Sequence, residues 1–375
     1  MKSDPQFVLI TPCLSANPGA ILQAWSLSLF LAKQGHQVCL PVPFSKSWLP
    51  SEKRTPTKTL LKILKHRQTE IGLEKSFASF VNRHFDVVYA DEIPGSLKPL
   101  CSVFGSDQVF SPLFNSNESA KAFSFGKFIQ GGKRIAYSVS FGWNFVDLPK
   151  DYLSFLATAL THFDFLSTRE SEGAKIVEKT RGGVLPPVTL DPTFFFSARE
   201  WQELIAKEPG KKPHKFPKNN SYILLFSIGS SDQTIDMAKK LRNEKHLPIV
   251  LAFYTGRRFF WGFKEYANLT PLDLITLIQG AAYVVTSSYH GFILSLNFQK
   301  EVFYSLSAYS PNSNSRFSDF IETFHLSDHN IQQALAALPA PLDFSKISPL
   351  IDEKRELSKN FLLEALRSVL DGSNH

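Results

Sequence analysis

The chain has 375 residues, of which 43% are hydrophobic, and its formal net charge is +7 at pH 7. Because single hydrophobic cores stop growing at about 250 residues, this length predicts two domains with separate cores. The excess of 41 basic over 34 acidic residues is too small to specify an anionic partner. No apolar run of about 18 residues is present, and the first residues do not match a signal peptide. We therefore expect a cytoplasmic protein.

Several kinds of site are excluded by missing motifs. Cys13, Cys39 and Cys101 are widely spaced, so they indicate neither a disulfide framework nor a zinc site. The spacing of carboxylates and histidines gives no case for a metal, and no Gly-rich phosphate loop supports a nucleotide cofactor. Aromatic and basic residues do not interleave as in RNA-binding modules. We expect no metal, no cofactor and no nucleic-acid partner.

Strands and helices alternate along the first half of the chain. The segment QFVLITP (6–12) predicts a buried strand, residues 19–36 predict an amphipathic helix that ends at Gly35, and HQVCLPV predicts the next strand. The pattern continues with strands at 85–90, 100–107, 133–142 and 164–170 and with the helices DYLSFLATALTHF and SEGAKIVEKT. This alternation predicts an α/β fold with a parallel sheet.

The second half repeats the alternation after a Pro-rich, lysine-rich linker at 207–220. Strands are predicted at 221–229, 248–254 and in AYVVTS, and helices in DQTIDMAKKLRNE, at 270–281 and from Gly291. Ligands of such sheets bind outside the carboxyl ends of the strands. A cleft between two α/β domains is therefore the expected site.

The segment AYVVTSSYHGFI (282–293) places His290 after a strand, where a helix begins near Gly291. Free backbone N–H groups at that point favour an anion, Ser287 and Ser288 add hydroxyl donors, and Gly291 permits close approach. A phosphate or carboxylate site is one interpretation. In the other, Ser288 caps the helix and His290 is a structural histidine.

Further polar residues follow the other strands. They are Asn17 and Gly19 after the first strand, Ser106, Asp107 and Gln108 after CSVFG, and Arg169 and Glu170 at the end of DFLSTRE. All should lie on one rim of the sheet. Taken singly, Asp107 could instead cap a helix, and Arg169 could pair with Glu172 or Asp164.

The stretch 46–67 is strongly basic. Its part TKTLLKILKHR has two interpretations: a helix that lies on an anionic membrane surface, giving peripheral membrane contact, or a helix whose charged face is solvated while the other face packs on the core.

Several blocks resemble those of the polysaccharide pyruvyl transferase family. They are ANPGAILQAWSLSLFLAKQGH (16–36), FGSDQVF (104–110), IAYSVSFG (135–142), FLSTRESEGA (165–174), LDPTFFFSAREW (190–201) and the run from TPLDL to KEVF (270–303). The resemblance covers most of residues 10–325, and the order of the blocks makes it specific. Two features depart from the family pattern: Pro18 stands where an aromatic residue is common, and residues 44–80 form an insertion.

The resemblance implies a GT-B-like fold, in which two Rossmann-like domains with parallel sheets face a central cleft. It implies an N-terminal, acceptor-side domain at 1–200 and a C-terminal, donor-side domain at 201–345. Residues 346–375 would form a C-terminal helix that crosses back to the first domain, with ELSKNFLLEALRSVL (356–370) at its centre.

The resemblance also implies a reaction and its residues. Family members transfer pyruvate from phosphoenolpyruvate to two sugar hydroxyls, which forms a cyclic ketal and releases phosphate. The acceptor would belong to a cell-surface polysaccharide or its lipid-linked precursor. Arg169 and His290 match donor positions, and Arg316 replaces a functional lysine of some members, so we assign Arg316 to phosphate binding. Asp107 is the candidate base or acceptor of a sugar hydroxyl, and His290 either donates to phosphate or serves as the acid, so His290, Asp107 and Arg169 are the candidate catalytic residues.

The remaining candidates divide between the two substrates. Ser287, Ser288 and Gly291 join the donor site, and Asn17, Gly19, Ser106 and Gln108 form the acceptor-side loop. Two other functions stay open: a GT-B glycosyltransferase that uses a nucleotide sugar, and a non-catalytic saccharide-binding or assembly protein.

Overall fold

The computed structural model describes residues 6–12, 17–42, 61–89, 97–208, 214–227, 232–253, 262–266, 268–307 and 311–372. Within these ranges the chain forms two parallel sheets with helices on their faces. The first sheet contains β1 (Phe7–Ile10), β2 (Val38–Val42), β3 (Asp86–Tyr89), β4 (Cys101–Phe104), β5 (Lys133–Val139) and β6 (Phe165–Thr168). The second contains β7 (Ile223–Phe226), β8 (Ile249–Ala252), β9 (Phe263–Glu265), β10 (Tyr283–Thr286) and β11 (Glu301–Tyr304).

Twelve helices lie in the described part of the chain. They are α1 (Pro18–Lys33), α2 (Leu61–His84), α3 (Glu118–Ser124), α4 (Lys150–Ala159), α5 (Ser171–Thr180), α6 (Ala198–Ala206), α7 (Asp232–Lys245), α8 (Pro271–Gly280), α9 (Tyr289–Asn297), α10 (Ser315–Thr323), α11 (Ile331–Ala334) and α12 (Phe344–Gly372). The predicted strands and helices are thus present, with strands shorter than the apolar runs that predicted them.

The order of the strands locates the loops that matter. The first sheet has the strand order β3-β2-β1-β4-β5-β6 and the second β11-β10-β7-β8-β9. In each sheet the order in which the chain adds strands therefore changes direction once. The reversals fall between β1 and β4 and between β7 and β10, where the loops separate and leave a crevice for a ligand. Residues 17–19 and 106–108 follow β1 and β4, and residues 287–291 follow β10. The candidates in these loops therefore lie at the two topological switch points, whereas Arg169 follows the edge strand β6 and Arg316 lies on α10.

Local sequence explains how these loops are built. All four residues of β1, FVLI, are buried because helices cover both faces of the sheet. Asn17 caps α1 by accepting a hydrogen bond from the Gly19 amide at 3.0 Å, and Pro18 occupies the first turn. After α1, Gly35 adopts φ +88°, a conformation that glycine takes without strain.

One apolar core joins the two sheets. Alternate residues of β1 point to opposite faces, so Phe7 and Leu9 enter a buried cluster that also contains Leu224 of β7, whereas Val8 and Ile10 enter a separate cluster on the outer face. Helix α1 packs on α8 and α9, which makes the inner cluster continuous. The length had predicted two separate cores, and this shared cluster corrects that expectation. The domain boundaries at residues 200 and 345 stay predictions.

The last helix contacts both halves of the chain. Helix α12 begins twelve residues before the segment expected at its centre and touches β5 and α9. Ser358 Oγ accepts from the Leu190 amide at 2.8 Å. Arg355 donates to the carbonyl of Phe194 at 2.6 Å and to Asn297 Oδ1 of α9 at 2.9 Å. These buried bonds join the segment after β6 to the second sheet's helices.

No helix in the described part of the chain combines the length and apolarity needed to cross a membrane. Most of the basic stretch 46–67 lies outside the described residues, and α2 starts at its end. The membrane-surface hypothesis therefore stays a prediction. Residues 209–213 of the predicted linker are also outside the described ranges.

We predict that Arg355→Ala lowers the free energy of unfolding by about 2–3 kcal/mol, because two buried acceptors lose a charged donor. Urea unfolding measures the change. The control is Arg367→Ala, an exposed arginine of the same helix, which should be nearly neutral. Equal effects of the two substitutions would contradict the role given to Arg355.

Candidate active site

Asp191 contacts polar side chains from both halves of the chain, the first half carrying the first sheet and the second half the second sheet. It precedes the 3-10 turn Pro192–Phe195 and caps it, since Oδ1 accepts from Thr193 N at 3.0 Å and Thr193 Oγ1 at 2.9 Å. Its other oxygen, Oδ2, accepts from Ser106 Oγ at 2.9 Å and from Arg169 Nη1 at 3.0 Å. The same oxygen lies 3.4 Å from His290 Nε2 of α9. One fully buried carboxylate thus faces a guanidinium of the first half and an imidazole of the second.

These neighbours determine the charge of Asp191. Burial alone would favour the neutral acid, but the imidazole of His290, the guanidinium of Arg169 and the Thr193 amide hold the pKa of Asp191 well below its usual range. Asp191 is therefore an anion at neutral pH.

Arg169 is a buried cation surrounded by acidic side chains. Besides Asp191, its Nη2 lies 3.5 Å from Asp107 Oδ1 and its Nε lies 3.8 Å from Glu170 Oε2. The guanidinium carbon is 4.3 Å from the centre of the Tyr289 ring. Burial raises the pKa of Tyr289 well above its usual value, so a neutral ring stacks on the cation. The Nε of Arg169 is buried and has no hydrogen-bond partner among the described residues.

The ion pairs proposed for Arg169 as an alternative are absent among the described residues. Glu172 pairs with Lys175 at 2.6 Å, and Asp164 pairs with Lys133 at 2.9 Å. The helix-capping alternative for Asp107 is not found either, because Asp107 contacts Arg169. Arg169 bonds to Asp191 instead of the nearby acids, and Asp107 lies in the loop after β4 with φ 63°.

Arg316 brings a second guanidinium to the same ring. Its carbon lies 5.7 Å from the centre of Tyr289. With the amide of Gln108 oriented so that its oxygen faces Arg316, that oxygen accepts from Nη1 at 3.0 Å and from Nε at 3.1 Å. Burial, and then repulsion from Arg169, lower the pKa of Arg316. Two guanidinium groups therefore lie against one ring, and the carboxylates of Asp107 and Glu170 act on both of them.

Glu170 fixes the loop after β5. Its Oε1 accepts from Ser140 Oγ at 2.8 Å, from Phe141 N at 3.1 Å and from Gly142 N at 3.4 Å. Burial raises the pKa of Glu170, although Arg169 and these hydrogen bonds oppose the shift. The loop in turn holds the backbone of the acceptor-side residues, because the Ser140 amide donates to the Asp107 carbonyl at 3.0 Å.

Asp107 has a strained backbone, with φ 63°. Non-glycine residues adopt this left-handed conformation at some energetic cost, and such strain is concentrated at functional sites. Ser138, where the pairing of β5 with β6 is irregular, has φ 49°. An uncommon backbone conformation thus occurs both in the loop after β4 and near the end of β5. The Asp107 side chain stays 13% exposed, in contrast to Arg169, whose side chain is fully buried.

His290 is packed between two parts of the first half. On one side is Asp191. On the other is Gly19, where an added Cβ would lie 2.4 Å from His290 Cγ and 2.5 Å from Nδ1. No side chain larger than hydrogen fits there without a shift, so α1 begins directly against the imidazole. Gly19 was predicted for the acceptor-side loop, and the structure places it against the donor-side histidine.

The turn between β10 and α9 is stabilised by its own hydrogen bonds and packing. Ser288 caps α9 and accepts from Gly291 N at 3.3 Å. This is the cap that the second interpretation of the segment predicted. An added Cβ at Gly291 would lie 2.5 Å from Thr286 Oγ1 and 2.8 Å from Phe226, so the need for glycine there is internal packing. Ser287 Oγ lies 2.9 Å from Ser227 Oγ. Helix α9 begins at Tyr289, which puts His290 in its first turn.

The structure thus brings Asp107, Arg169, His290 and Arg316 together, with Ser106 and Gln108 as their hydrogen-bond partners. Asn17 serves as a helix cap. The sequence did not single out Asp191 or Tyr289, although both lie in blocks that carried the resemblance. Asp191 has the local signal of a cap, an aspartate before proline, and Tyr289 precedes His290 on a helix with no polar periodicity.

A family model described as polysaccharide pyruvyl transferase matches residues 17–307. The chain belongs to the polysaccharide pyruvyl transferase family. The match spans all residues of the cluster described above except Arg316. A search of the curated proteins found no match.

Solved structures establish the fold of this family member. The UDP-GlcNAc 2-epimerase of Methanocaldococcus jannaschii, in complex with UDP-GlcNAc and UDP, is 11% identical with a TM-score of 0.51, and covers 96% of this chain and 99% of that chain. A second structure of the same epimerase is 11% identical with a TM-score of 0.51, over 90% and 92% of the two chains. At this identity the likeness shows the fold alone. The fold is GT-B-like.

Two further observations concern possible ligands of the family member. Among the described residues, no group of three or more His, Cys, Asp or Glu side chains is arranged to hold a metal ion. A pocket of about 250 Å³ lies between α2, His214 and the start of α8. The predicted site residues do not line it, so it is separate from the Arg169 cluster.

We predict that Asp191→Asn lowers the free energy of unfolding by about 3 kcal/mol at neutral pH, because the buried cation Arg169 loses a counter-charge. The pKa of Asp191 is depressed in the folded protein, so its contribution is complete above about pH 4, the usual pKa of an unfolded aspartate, and is lost as the pH falls further. The difference between wild type and variant should therefore narrow below about pH 4.

Urea unfolding between neutral pH and pH 3 measures this difference. Asp151→Asn, at an exposed position at the start of α4, is the control and should change stability little at any pH. A difference for Asp191→Asn that stays constant with pH would contradict the ionised state assigned to it.

Proposed function

We propose that this protein transfers pyruvate from phosphoenolpyruvate to two hydroxyls of a sugar, with formation of a cyclic ketal and release of phosphate. The acceptor is a sugar of a cell-surface polysaccharide or of its lipid-linked precursor. The observation that carries the proposal is the convergence of Arg169, Arg316 and His290 at one place between the two sheets. Membership of the family supports it.

The donor has the charges that this cluster requires. Phosphoenolpyruvate carries a carboxylate and a phosphate, and guanidinium groups bind both with paired hydrogen bonds. Arg169 and Arg316 lie on one tyrosine ring and repel each other. A donor anion bound between them relieves this repulsion. Arg169 is already fixed by Asp191, so it keeps its orientation before the donor arrives.

The reaction needs a proton donor and a proton acceptor, and these roles fall to His290 and Asp107. His290 gives a proton to the methylene carbon of the donor while the first sugar hydroxyl attacks the central carbon and Asp107 takes its proton. The bond to phosphate then breaks, and the second hydroxyl attacks the same carbon to close the ketal. Of the two hydroxyl protons, one restores the proton that His290 gave to the methyl group, and the other leaves with phosphate. In this scheme phosphoenolpyruvate is a substrate, and no cofactor takes part.

Asp107 suits the role of general base because its side chain is partly exposed and its backbone is held in a fixed position. Its side chain is 13% exposed, and its backbone is held at φ 63° with the Ser140 amide on its carbonyl. Gln108, the next residue, contacts Arg316. The acceptor therefore approaches along the loop after β4. Ser106 and Gly19, which are packed against Asp191 and His290, shape this side of the site without touching the sugar.

We predict that Arg316→Ala weakens phosphoenolpyruvate binding by about 100-fold, because one of two guanidinium groups is lost. For wild type at 100 times the dissociation constant, linkage gives about 2.7 kcal/mol of stabilisation, so thermal unfolding with and without the donor measures the effect. Arg199→Ala, an 87% exposed arginine, is the control and should bind normally.

His290→Gln should reduce turnover more than it reduces donor affinity, since the proton donor is lost while both guanidinium groups stay. Phosphate release in the presence of an acceptor measures turnover, and His162→Gln, at an exposed position, is the matched control. Uridine diphosphate is included as a ligand. Stabilisation by the nucleotide and not by phosphoenolpyruvate would replace the proposal with the glycosyltransferase alternative.

A further inference from the structure

The first turn of α5 is capped by a residue from the other half of the chain. Glu170 is the N-cap residue of α5 but makes no capping hydrogen bond, because its side chain turns inward to Ser140. Asp319 Oδ2 instead accepts from Ser171 N at 2.8 Å and from Ser171 Oγ at 2.9 Å. A carboxylate at a helix N-terminus also interacts favourably with the helix dipole. Helix α5 of the first half is thus completed by α10.

Asp319 and Arg316 lie on the same side of α10. They are three residues apart, about one helical turn, so their side chains project from one face. Asp319 reaches the start of α5, and Arg316 reaches Gln108 and Tyr289. Just before α10, Asn312 Oδ1 accepts from Asn144 Nδ2 at 3.1 Å. The polar face of α10 is therefore attached to the first half at successive points.

The apolar face of α10 holds the helix by other means. Phe317 packs edge-on against Tyr289 at 5.6 Å, and Phe320 stacks on Phe194 at 5.8 Å. Both phenylalanines are buried. Since these contacts do not involve Asp319, a substitution of Asp319 should leave α10 folded.

We propose that Asp319 is a positioning residue: by capping α5 it holds the polar face of α10 against the first half, and it thereby fixes Arg316 at the donor site. The inference rests on the proposed function in one respect, that Arg316 binds the donor. Asp319 itself lies outside the cluster around Tyr289 and acts through the helix. It determines how well the donor site is assembled from the two halves.

The first test compares donor affinity in two variants of α10. Asp319→Ala should weaken phosphoenolpyruvate binding about tenfold, measured by calorimetry, because the capping interaction and its orientation of α10 are lost. Glu322→Ala removes an exposed carboxylate of the same helix and should leave the affinity unchanged. Equal affinity in the two variants would overturn the inference.

A double-mutant cycle separates action through Arg316 from any other effect. In an Arg316→Ala background, Asp319→Ala should cause no further loss of donor affinity, since the group that it positions is gone. Losses that add would mean that Asp319 acts by another route, and the inference would be wrong.

Hydrogen exchange tests the cap without reference to the donor. The Ser171 amide should exchange faster in Asp319→Ala than in wild type, and at the wild-type rate in Glu322→Ala. Unchanged exchange at Ser171 would overturn the inference alone. A wild-type protein that binds no phosphoenolpyruvate would overturn the proposed function, while exchange at Ser171 would still decide whether Asp319 caps α5.

Discussion

The arrangement of the site depends on one buried carboxylate. Asp191 is fully buried, and its Oδ2 is shared by Ser106, Arg169 and His290. A buried charge is unfavourable unless other groups compensate it, so each of these partners is held where it is by the need to satisfy Asp191. The same atom therefore orients a guanidinium from the first sheet and an imidazole from the second. The same buried charge therefore affects both the assembly of the site and the contact between the two halves.

The sequence predicted the fold well where apolar runs are long. Buried parallel strands such as ILLF of β7 are continuous in hydrophobicity, and their flanking helices are amphipathic. It did not predict β9, whose three residues FKE form an edge strand with little apolar surface. Helix α10 was not predicted either, since only Arg316 was singled out in that segment. Strand order cannot be obtained from local pattern, since it depends on which crossovers the whole chain makes.

The site was predicted in position but not in its connections. Asp107 and Arg169 follow strands of the first sheet and His290 follows a strand of the second, and the rule for parallel sheets places each at the carboxyl end of its own sheet. Asp191 follows no strand, and its sequence context explains a helix cap but not a contact with His290, 99 residues away. Long-range pairs of this kind are set by packing, so the partner of Arg169 could not be chosen between nearby acids. Glu172 and Asp164, the alternative partners considered for Arg169, are simply the acids close to it in sequence.

The shared apolar core has a consequence for how the protein can be divided. Phe7, Trp201 and Leu224 belong to one buried cluster, and α12 is bonded to both halves. A chain cut at residue 200 would expose that cluster on both fragments, which favours aggregation over folding. The two halves should therefore melt in a single calorimetric transition, although the strand order of the second sheet matches that of the first apart from the first sheet's additional strand β6. Duplicated architecture here does not mean independent folding units.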